Sequence, residues 1–589
     1  MKDSRNSKTR NPKYQGKRVN KSRKSELDDQ INERYSKDND WRWYAQNEQL
    51  LKDTASFSYN YPLGSLVQRT ASGNEPVDTT AIPGIMAVHV SPAFGGSDSR
   101  TSPINVAMRN IYSFVRHANS GHTNYDAPDL AIYLMAMDSC YSFLSYLRRI
   151  YGVAMTFSYT NRYYPTAIVN AMDVNFEDIH RNLADFRAYI NSLAVKVGSM
   201  CVPASMSYFA RHMWMYEGYY LDSNQDKAQT YLYVPDGFYQ YTLDNDSAGM
   251  LKFKPLMPFG YHISSRNVSN TADTLLTYQQ LHDYGDALLE PILQSEDMNI
   301  MSGDILKAFG KENLYMVQMI PENYTVLPTY NEEVLNQINN ATLVGQYVPE
   351  SSTVGTNIGQ LNQSKDKGYL INEVMTYVTS LGIGKLDLEA VNWGAFTAKQ
   401  LINFDHGDVT PADTMVASRL THSMPKPVYK NVKTGKRDNT GTTNTNSMSF
   451  ASSSGWNSIG SEVANYAVLY YFDKTGLMMS EGITTVVPAV VEVDTTAGGA
   501  DVSSIPVNQV QSDVFRINML SMFNRHPRVA YQFVLTVHTT EQDTYAAGAF
   551  QSKTGDINYY TVVDNTDLAQ MAQTALLSML NVTQFGRQQ

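Results

Sequence analysis

Cysteine is nearly missing from this chain: Cys140 and Cys201 are the only two in 589 residues. Both stand in apolar surroundings, MAMDSCYSFL and VGSMCVPAS, with no Cys-x-x-Cys and no Cys/His cluster nearby. They read as buried free thiols rather than a disulfide, which fits a reducing compartment. Long hydrophobic runs are missing too. No stretch approaches the ~18 uncharged apolar residues of a membrane span, so none is expected. The N-terminus has no apolar core of a signal peptide. Up to Lys24 its only sizeable apolar or aromatic residues are Met1, Tyr14 and Val19, too few for an amphipathic transit helix. The Asn-x-Ser/Thr triplets at Asn267 and Asn323 then read as chance matches, and the expectation is a protein made and kept in the cytosol. Charged residues are only 18% of the chain and apolar ones 42%, the balance of a well-packed globular protein. The length exceeds what one core usually supports, so two or three domains are expected.

Catalytic signatures are absent as well. Gly382-Ile-Gly384-Lys385 lacks the upstream glycine of a phosphate loop, and Gly310-Lys311 follows Gly303 at the wrong distance. There is no G-x-S-x-G elbow and no H-E-x-x-H. Asp405-His406 is an adjacent pair without a visible nucleophile. The spacing of His117 and His122 does not suit two ligands on one helix face, and His526 and His538 end a strand pattern. No catalytic residue, metal site or cofactor is expected, and an enzyme acting on an external substrate is disfavoured.

What is present is an asymmetry of charge. Residues 1–24 carry ten basic side chains: Lys2, Arg5, Lys8, Arg10, Lys13, Lys17, Arg18, Lys21, Arg23 and Lys24. Against them stands one acid, Asp3. The net charge of this tail is +9, and since the whole chain is −10, residues 25–589 carry −19. Residues 1–37 are expected to be disordered alone, because they cannot bury enough apolar surface to offset chain entropy. Such a tail suits nucleic acid, since each phosphate contact releases counterions without regard to base sequence. A nuclear-localisation patch and a solubilising tail are the competing readings. Trp41, Trp43 and Tyr44 follow as an aromatic block, either an anchor for the arm or the first core element of the body. Asn47 to Lys52 extends it as a short helix.

Along the body, residues 63–104 are turn-rich and read as an extended, loop-like arm. Ser102-Pro103 then opens a helix with Ile104, Ala107, Met108, Ile111, Val115 and Ala118 on one face. A second helix runs from Pro128 to Tyr151 and is closed by Gly152. It is apolar on nearly all sides, with Arg148 and Arg149 in its last turn, and reads as a central core helix. A third carries Ile179, Leu183, Phe186, Ile190 and Leu193, starting at Asn175 and stopping before Gly198. The runs 230–234 and 238–243 flank Pro235-Asp236-Gly237 and predict a β-hairpin. Helix is expected again over 272–290, ended by Pro291, and over 304–309 before Gly310. From 320 to 512, long polar stretches read as an outward-facing domain, because such loops inside a compact domain are usually functional or mobile. Strands are expected at 464–472, 484–493, 528–539 and 557–563, with a last helix over 568–580. The body is α+β, helix dominating up to residue 310. The 40 tyrosines suit either a tyrosine-rich core or extensive subunit interfaces.

The order of these features resembles the picobirnavirus capsid proteins. The resemblance rests on the basic tail leading into Asn39-Asp40-Trp41-Arg42-Trp43-Tyr44, and on the segment from Pro103 to Gly152. The latter holds Asn105, Ile111-Tyr112-Ser113, Arg116, Asn119-Ser120-Gly121, Asn124-Tyr125, Asp129-Leu130, Tyr133 and Arg149-Ile150-Tyr151-Gly152. It is clearest over residues 38–220. It implies homodimers, sixty of which close an icosahedral shell around double-stranded RNA. It further implies a predominantly helical shell domain, a projecting domain at the dimer axis, and exchange of N-terminal segments. Loss of the basic arm by self-cleavage and perturbation of a host membrane are implied as well. Laid on this chain, the domains become 1–65 (arm), 66–320 (shell), 321–512 (projection) and 513–589 (return to the shell).

Cleavage belongs between arm and body. Asn60-Tyr61 can break by attack of the Asn amide on its own carbonyl. Gly64-Ser65 can break by an N-to-O acyl shift through the serine hydroxyl, and the bond from Ser65 to Leu66 is the third candidate. Pro62 and Gly64 favour the neighbourhood of Ser65; an uncleaved turn is the alternative. Two other functions stay open: a nucleoprotein coating single-stranded RNA, which would want basic grooves in the body, and a cytosolic hydrolase with an RNA-tethering tail.

Overall fold

The computed structural model describes residues 47–54, 63–69, 78–97, 99–119, 121, 125–224, 227–244, 246–258, 261–262, 268–269, 275–343, 360–364, 368–372, 378–382, 399–422, 427–430, 447–452, 460–472, 478–483, 486–494, 501–504, 516, 518–538, 543–552 and 559–580. The chain divides into two units, Met1–Tyr61 and Pro62–Gln589. In the first, α1 (Glu48–Thr54) forms as the sequence suggests. Asn47 Oδ1 accepts from the backbone N–H groups of Gln49 and Leu50 and caps the helix. Lys52 pairs with Glu48 one turn back at 2.7 Å.

In the second unit the helices are α2 (Pro103–Ala118), α3 (Ala127–Ala154), α4 (Tyr163–Ala171), α5 (Phe176–Arg181), α6 (Leu183–Gly198) and α7 (Ser207–Met215). They continue with α8 (Tyr278–Gln294), α9 (Glu296–Phe309), α10 (Glu332–Asn340), α11 (Pro411–Ala417) and α12 (Asn565–Leu580). The strands up to residue 300 are β1 (Leu66–Arg69), β2 (Asp78–Ala81), β3 (Ile85–Pro92), β4 (Tyr220–Leu221), β5 (Thr230–Pro235), β6 (Gly237–Leu243), β7 (Gly249–Pro255) and β8 (Val268–Ser269). Then come β9 (Gln360–Gln363), β10 (Leu370–Asn372), β11 (Val378–Gly382), β12 (Lys399–Phe404), β13 (Pro427–Lys430), β14 (Ser447–Ser452) and β15 (Glu462–Phe472). The last are β16 (Met478–Ile483), β17 (Val486–Asp494), β18 (Asp501–Ser504), β19 (Val529–His538), β20 (Asp543–Ser552) and β21 (Tyr559–Asp564).

The architecture is mixed helix and sheet around one large core. A six-stranded sheet in the order β4-β5-β3-β15-β16-β8 runs through it. β3 is parallel to β5 and antiparallel to β15, so residues 85–92 and 462–472 share one ladder. β6 and β7 form a second sheet with β9 and β10, while β17 lies parallel to β19. α3 is the axis of the helical side. Asp126 caps it in a reciprocal box with Asp129, and only Ala127, Asp129 and Arg148 of its residues escape burial. It is long and apolar enough to cross a membrane, yet it is enclosed by the fold. Its neighbours are α2, α6, α7, α8 and β6. Tyrosines dominate the large buried side chains here, among them Tyr133, Tyr141, Tyr146, Tyr208, Tyr233 and Tyr466. The tyrosine-rich core reading therefore holds. Both cysteines are free thiols, as expected; Cys140 is buried and Cys201 is half-buried.

Several sequence expectations are corrected. The stretch 63–104 is no loop-like arm. It carries three strands, and β3 (IMAVHVSP) is buried along its whole length, as suits a strand inside a sheet covered on both faces. The expected hairpin at 230–243 does not form: β5 joins the six-stranded sheet and β6 pairs with β7. The chain changes sheets at Asp236, whose buried carboxylate accepts from Asn465 Nδ2 (2.7 Å) and Tyr466 OH (2.9 Å). Gly237 follows because a Cβ there would lie 2.4 Å from the Lys254 carbonyl oxygen. Gly152 does not end α3. It lets the 324–326 segment approach, since a Cβ would lie 2.5 Å from Val326 Cγ2, and its carbonyl accepts from Val326 N.

Arg149 is no dipole-facing surface cation either. It is fully buried and donates to the carbonyls of Gly218 (3.0 Å) and Tyr233 (2.6 Å). Burial lowers its guanidinium to about 10. The single third helix is two: Asn182 leaves the helical backbone (φ -111, ψ 22) between α5 and α6, and its Nδ2 donates to the Asp178 carbonyl at 2.9 Å. Asn175 does cap the first of them, accepting from Asp178 N. α8 starts at Tyr278 behind a Thr277–Gln280 capping box and runs through Pro291 to Gln294.

Candidate functional site

At the start of the second unit, the candidate joint at Gly64–Ser65 is fixed by hydrogen bonds from distant strands. Gly64 has φ +85, and a Cβ there would sit 2.7 Å from Phe472 Cδ2, so glycine alone fits. Its N–H donates to the Ile82 carbonyl at 2.5 Å, and Ile82 N donates to the Ser65 carbonyl at 2.9 Å. The Gly64 carbonyl accepts from the Phe472 N–H, and Ser65 forms a parallel bridge with Phe472. Leu66 then begins β1, paired with Ala81 of β2. The Gly64–Ser65 peptide is thus held at both ends, with a backbone donor already on its carbonyl. A donor so placed stabilises negative charge developing on that oxygen.

Behind the same strand, β15, lies a buried ionic cluster. Glu462 Oε1 accepts from Arg211 Nε at 3.0 Å, with Arg211 Nη2 at 2.8 Å, and Glu462 Oε2 faces Arg419 Nη2 at 3.3 Å. Ser461 Oγ donates to the same carboxylate. Burial alone would raise the Glu462 carboxyl, but Arg419, Arg211 and His212 together hold it well below the usual range. His212 Nδ1 lies 2.7 Å from Asp138 Oδ2 and Nε2 lies 3.0 Å from the Ser461 carbonyl. An acceptor beside each ring nitrogen favours the protonated form of His212. Burial pulls its pKa down, and Asp138 and Glu462 more than restore it. Asp138, His212 and Ser461 are the residue types of an acyl-transfer triad, yet the serine offers its carbonyl, not its hydroxyl, to the imidazole. The cluster is a clasp: it ties α3, α7 and the 418–422 turn to β15.

On the other side of β15, His89, Asp173 and His262 bring two imidazoles and a carboxylate together in the interior, a donor set able to hold a metal ion. At the surface, Met316, Met319, Leu327 and Tyr330 are exposed along the 314–330 segment. Beside them a half-open cavity of about 340 Å³ is lined by Tyr141, Arg148, Met213, Trp214, Tyr315 and Met316.

Of the residues singled out in the sequence, Gly64, Ser65 and Leu66 are brought to one place, the joint. Asn60, the anchor residues Trp41, Trp43 and Tyr44, and all ten basic residues from Lys2 to Lys24 lie outside the described residues. Asp405 and His406 turn to different partners: Asp405 pairs with Arg525 at 2.7 Å, and His406 faces Glu332 and Asp413 in solvent. The two buried clusters were missed. Their signal was a charged or histidine residue inside an apolar run, as in LMAMDSCY around Asp138 and IMAVHVSP around His89.

A family profile described as "Picobirnavirus, Capsid protein" matches residues 43–545. The capsid protein precursor of a human picobirnavirus (strain Human/Thailand/Hy005102/-) is 33% identical over 392 residues, which span 65% of this chain and 68% of that protein. Among solved structures, the X-ray crystallographic structure of the picobirnavirus capsid matches with a TM-score of 0.63, over 92% of this chain and 98% of that one. At 19% identity that likeness shows the fold.

Proposed function

This chain belongs to the picobirnavirus capsid protein family, and from that premise we propose that it assembles as homodimers into an icosahedral shell that packages double-stranded RNA through its basic arm. The observation that carries the proposal is the charge division: a +9 tail on a −19 remainder. An acidic body repels RNA, so Lys2, Arg5, Lys8, Arg10, Lys13, Lys17, Arg18, Lys21, Arg23 and Lys24 must supply the phosphate contacts. Trp41, Trp43 and Tyr44 anchor the arm to the protein lattice. The same division argues against a nucleoprotein, whose body would need basic grooves of its own.

Residues 1–65 form the RNA-facing arm, 66–320 the shell, 321–512 the projection and 513–589 a return to the shell. The projecting stretch is tied to the shell by β15, which lies beside β3, and by β16, which lies between β15 and β8. The exposed Met316, Met319, Leu327 and Tyr330 supply contact between copies. The shell is assembled in the host cytoplasm as the protein layer of the virion, and the particle acts on a host membrane during penetration.

The arm is released at the joint, once per chain. Ser65 Oγ attacks the Gly64 carbonyl carbon; the Gly64–Ser65 C–N bond breaks as the ester forms, and the freed Ser65 amine takes the hydroxyl proton. Water then hydrolyses the ester, leaving a Gly64 carboxylate. The Phe472 N–H on the Gly64 carbonyl and the fixed turn at φ +85 support this bond over Asn60-Tyr61 and Ser65-Leu66. Two experiments test the proposal. Deleting residues 2–24 should leave particles intact and strip them of nuclease-resistant RNA; loss of assembly would show the arm to be structural. Intact-mass spectrometry of assembled particles should show a body lacking residues 1–64, and a single full-length mass removes the cleavage step.

A further inference from the structure

We infer that His89, Asp173 and His262 form a binding site for one divalent transition-metal ion of the zinc class. Three elements far apart in sequence build it. His89 comes from β3, Asp173 from the turn after α4, and His262 from the short segment 261–262 before β8. One donor atom from each lies within 4.8 Å of the other two, and the three residues are buried. His262 Nε2 is 2.8 Å from Asp173 Oδ1, and His89 Nε2 is 3.9 Å from Asp173 Oδ2. Tetrahedral zinc bonds of ~2.0–2.2 Å set donors ~3.3–3.6 Å apart, so an ion would spread the His262–Asp173 pair slightly and draw His89 in by side-chain rotation.

Independent observations point to a ligand. Among the described residues, both ring nitrogens of His89 and Nδ1 of His262 are buried without a hydrogen-bond partner. A buried polar atom left so costs ~1–3 kcal/mol, so unsatisfied donors and acceptors gathered around one carboxylate ask for an occupant. Asp173 has φ 64, a left-handed backbone that a non-glycine residue rarely keeps without reason. The surroundings hold the donors in place: His89 stacks on Tyr466 (4.3 Å, 15°), whose hydroxyl is fixed by Asp236. On β16 only a glycine at 482 leaves room for the His262 backbone, since a Cβ would lie 2.2 Å from the His262 carbonyl oxygen. Two imidazoles and one carboxylate select zinc-like ions over calcium or magnesium, which prefer all-oxygen shells. Because the site is closed, the ion is taken up as the chain folds, and water completes its coordination.

The test uses the full-length chain produced in defined medium with zinc as the added transition metal, desalted and analysed by plasma mass spectrometry. The expected content is one zinc per chain. Asp173→Asn tolerates the left-handed backbone and should lower that content at least ten-fold, as should His262→Gln. His406→Gln, at the exposed His406–Glu332–Asp413 group, should keep it. Cobalt-grown protein should show the visible absorption of a four-coordinate N/O site in wild type and lose it in Asp173→Asn, which gives a readout on assembled particles even if His262→Gln misfolds. A wild-type chain without zinc or cobalt overturns the inference and leaves a plain His262–Asp173 ion pair. Equal metal in Asp173→Asn, or loss in His406→Gln, overturns it as well.

Discussion

Replacing Glu462 by glutamine keeps its shape and removes one charge. In the wild type that carboxylate accepts from Arg211 at 3.0 Å, faces Arg419 at 3.3 Å and is 1% exposed. The variant leaves two largely buried guanidiniums without their carboxylate, while His212 keeps Asp138. Breaking a buried pair from one side typically costs ~3–5 kcal/mol, because the orphaned charge stays in low dielectric. Against a usual total of ~5–15 kcal/mol, that is a large share of the stability. Trp214 reports on the place, since Arg211 lies over its ring at 5.1 Å. Urea titration of disassembled subunits, followed by tryptophan fluorescence, should show the midpoint fall with an unchanged slope. The Glu462 carboxyl is held low in the fold, so its contribution is present above the ordinary carboxylate pKa and is lost only as pH falls through the depressed value. The gap between wild type and variant should therefore be flat from about pH 5 to 8. A triple change of Arg211, Arg419 and Glu462 to methionine, which removes every charge together, should recover most of the loss. A midpoint shift worth less than ~1 kcal/mol for Glu462→Gln, the scale of an exposed pair, refutes the reasoning.

Other predictions follow from single positions. Gly152→Ala places a Cβ 2.9 Å from the Val326 backbone nitrogen, so it should cost ~1–3 kcal/mol in the same titration, and Val326→Ala should not rescue it. Gly64→Ala meets both φ +85 and Phe472, so it should lower stability by ~1–2 kcal/mol from the backbone alone and slow arm release, with Phe472→Ala restoring only part. His422 faces Glu462 and Arg419, and its pKa is lowered to about 4: burial lowers it most, Glu462 opposes, and Arg419 adds. Its folded pKa lies below the unfolded one, so stability present above pH ~6.5 is lost as pH falls toward 4, at most ~3 kcal/mol. His422→Gln should flatten the urea-midpoint profile across that window.

Much of the fold was legible where the signal is local. α3 announced itself by a long apolar run behind Pro128, α5 by the cap at Asn175, and α9 by Gly310, which takes φ +75 at its end. β15 and β19 were legible as apolar strand patterns. The losses came where distant residues outvoted local ones. Pro235-Asp236-Gly237 is a sound turn signal, yet Asn465 and Tyr466 hold Asp236 from about 230 positions away and send the two flanking strands to different sheets. Gly152 and Pro291 read as helix stops, but packing carried both helices past them. The candidate sites split the same way. The joint at Gly64-Ser65 showed in its turn residues. The Glu462 clasp spans 251 positions to Arg211, and no spacing rule reaches that far.

The central claim, that this chain builds a closed capsid, is tested most directly by negative-stain electron microscopy of the purified full-length protein at neutral pH. The account predicts closed spherical shells of uniform diameter. RNA-dependent filaments, or a small soluble oligomer that forms no shell, would contradict it.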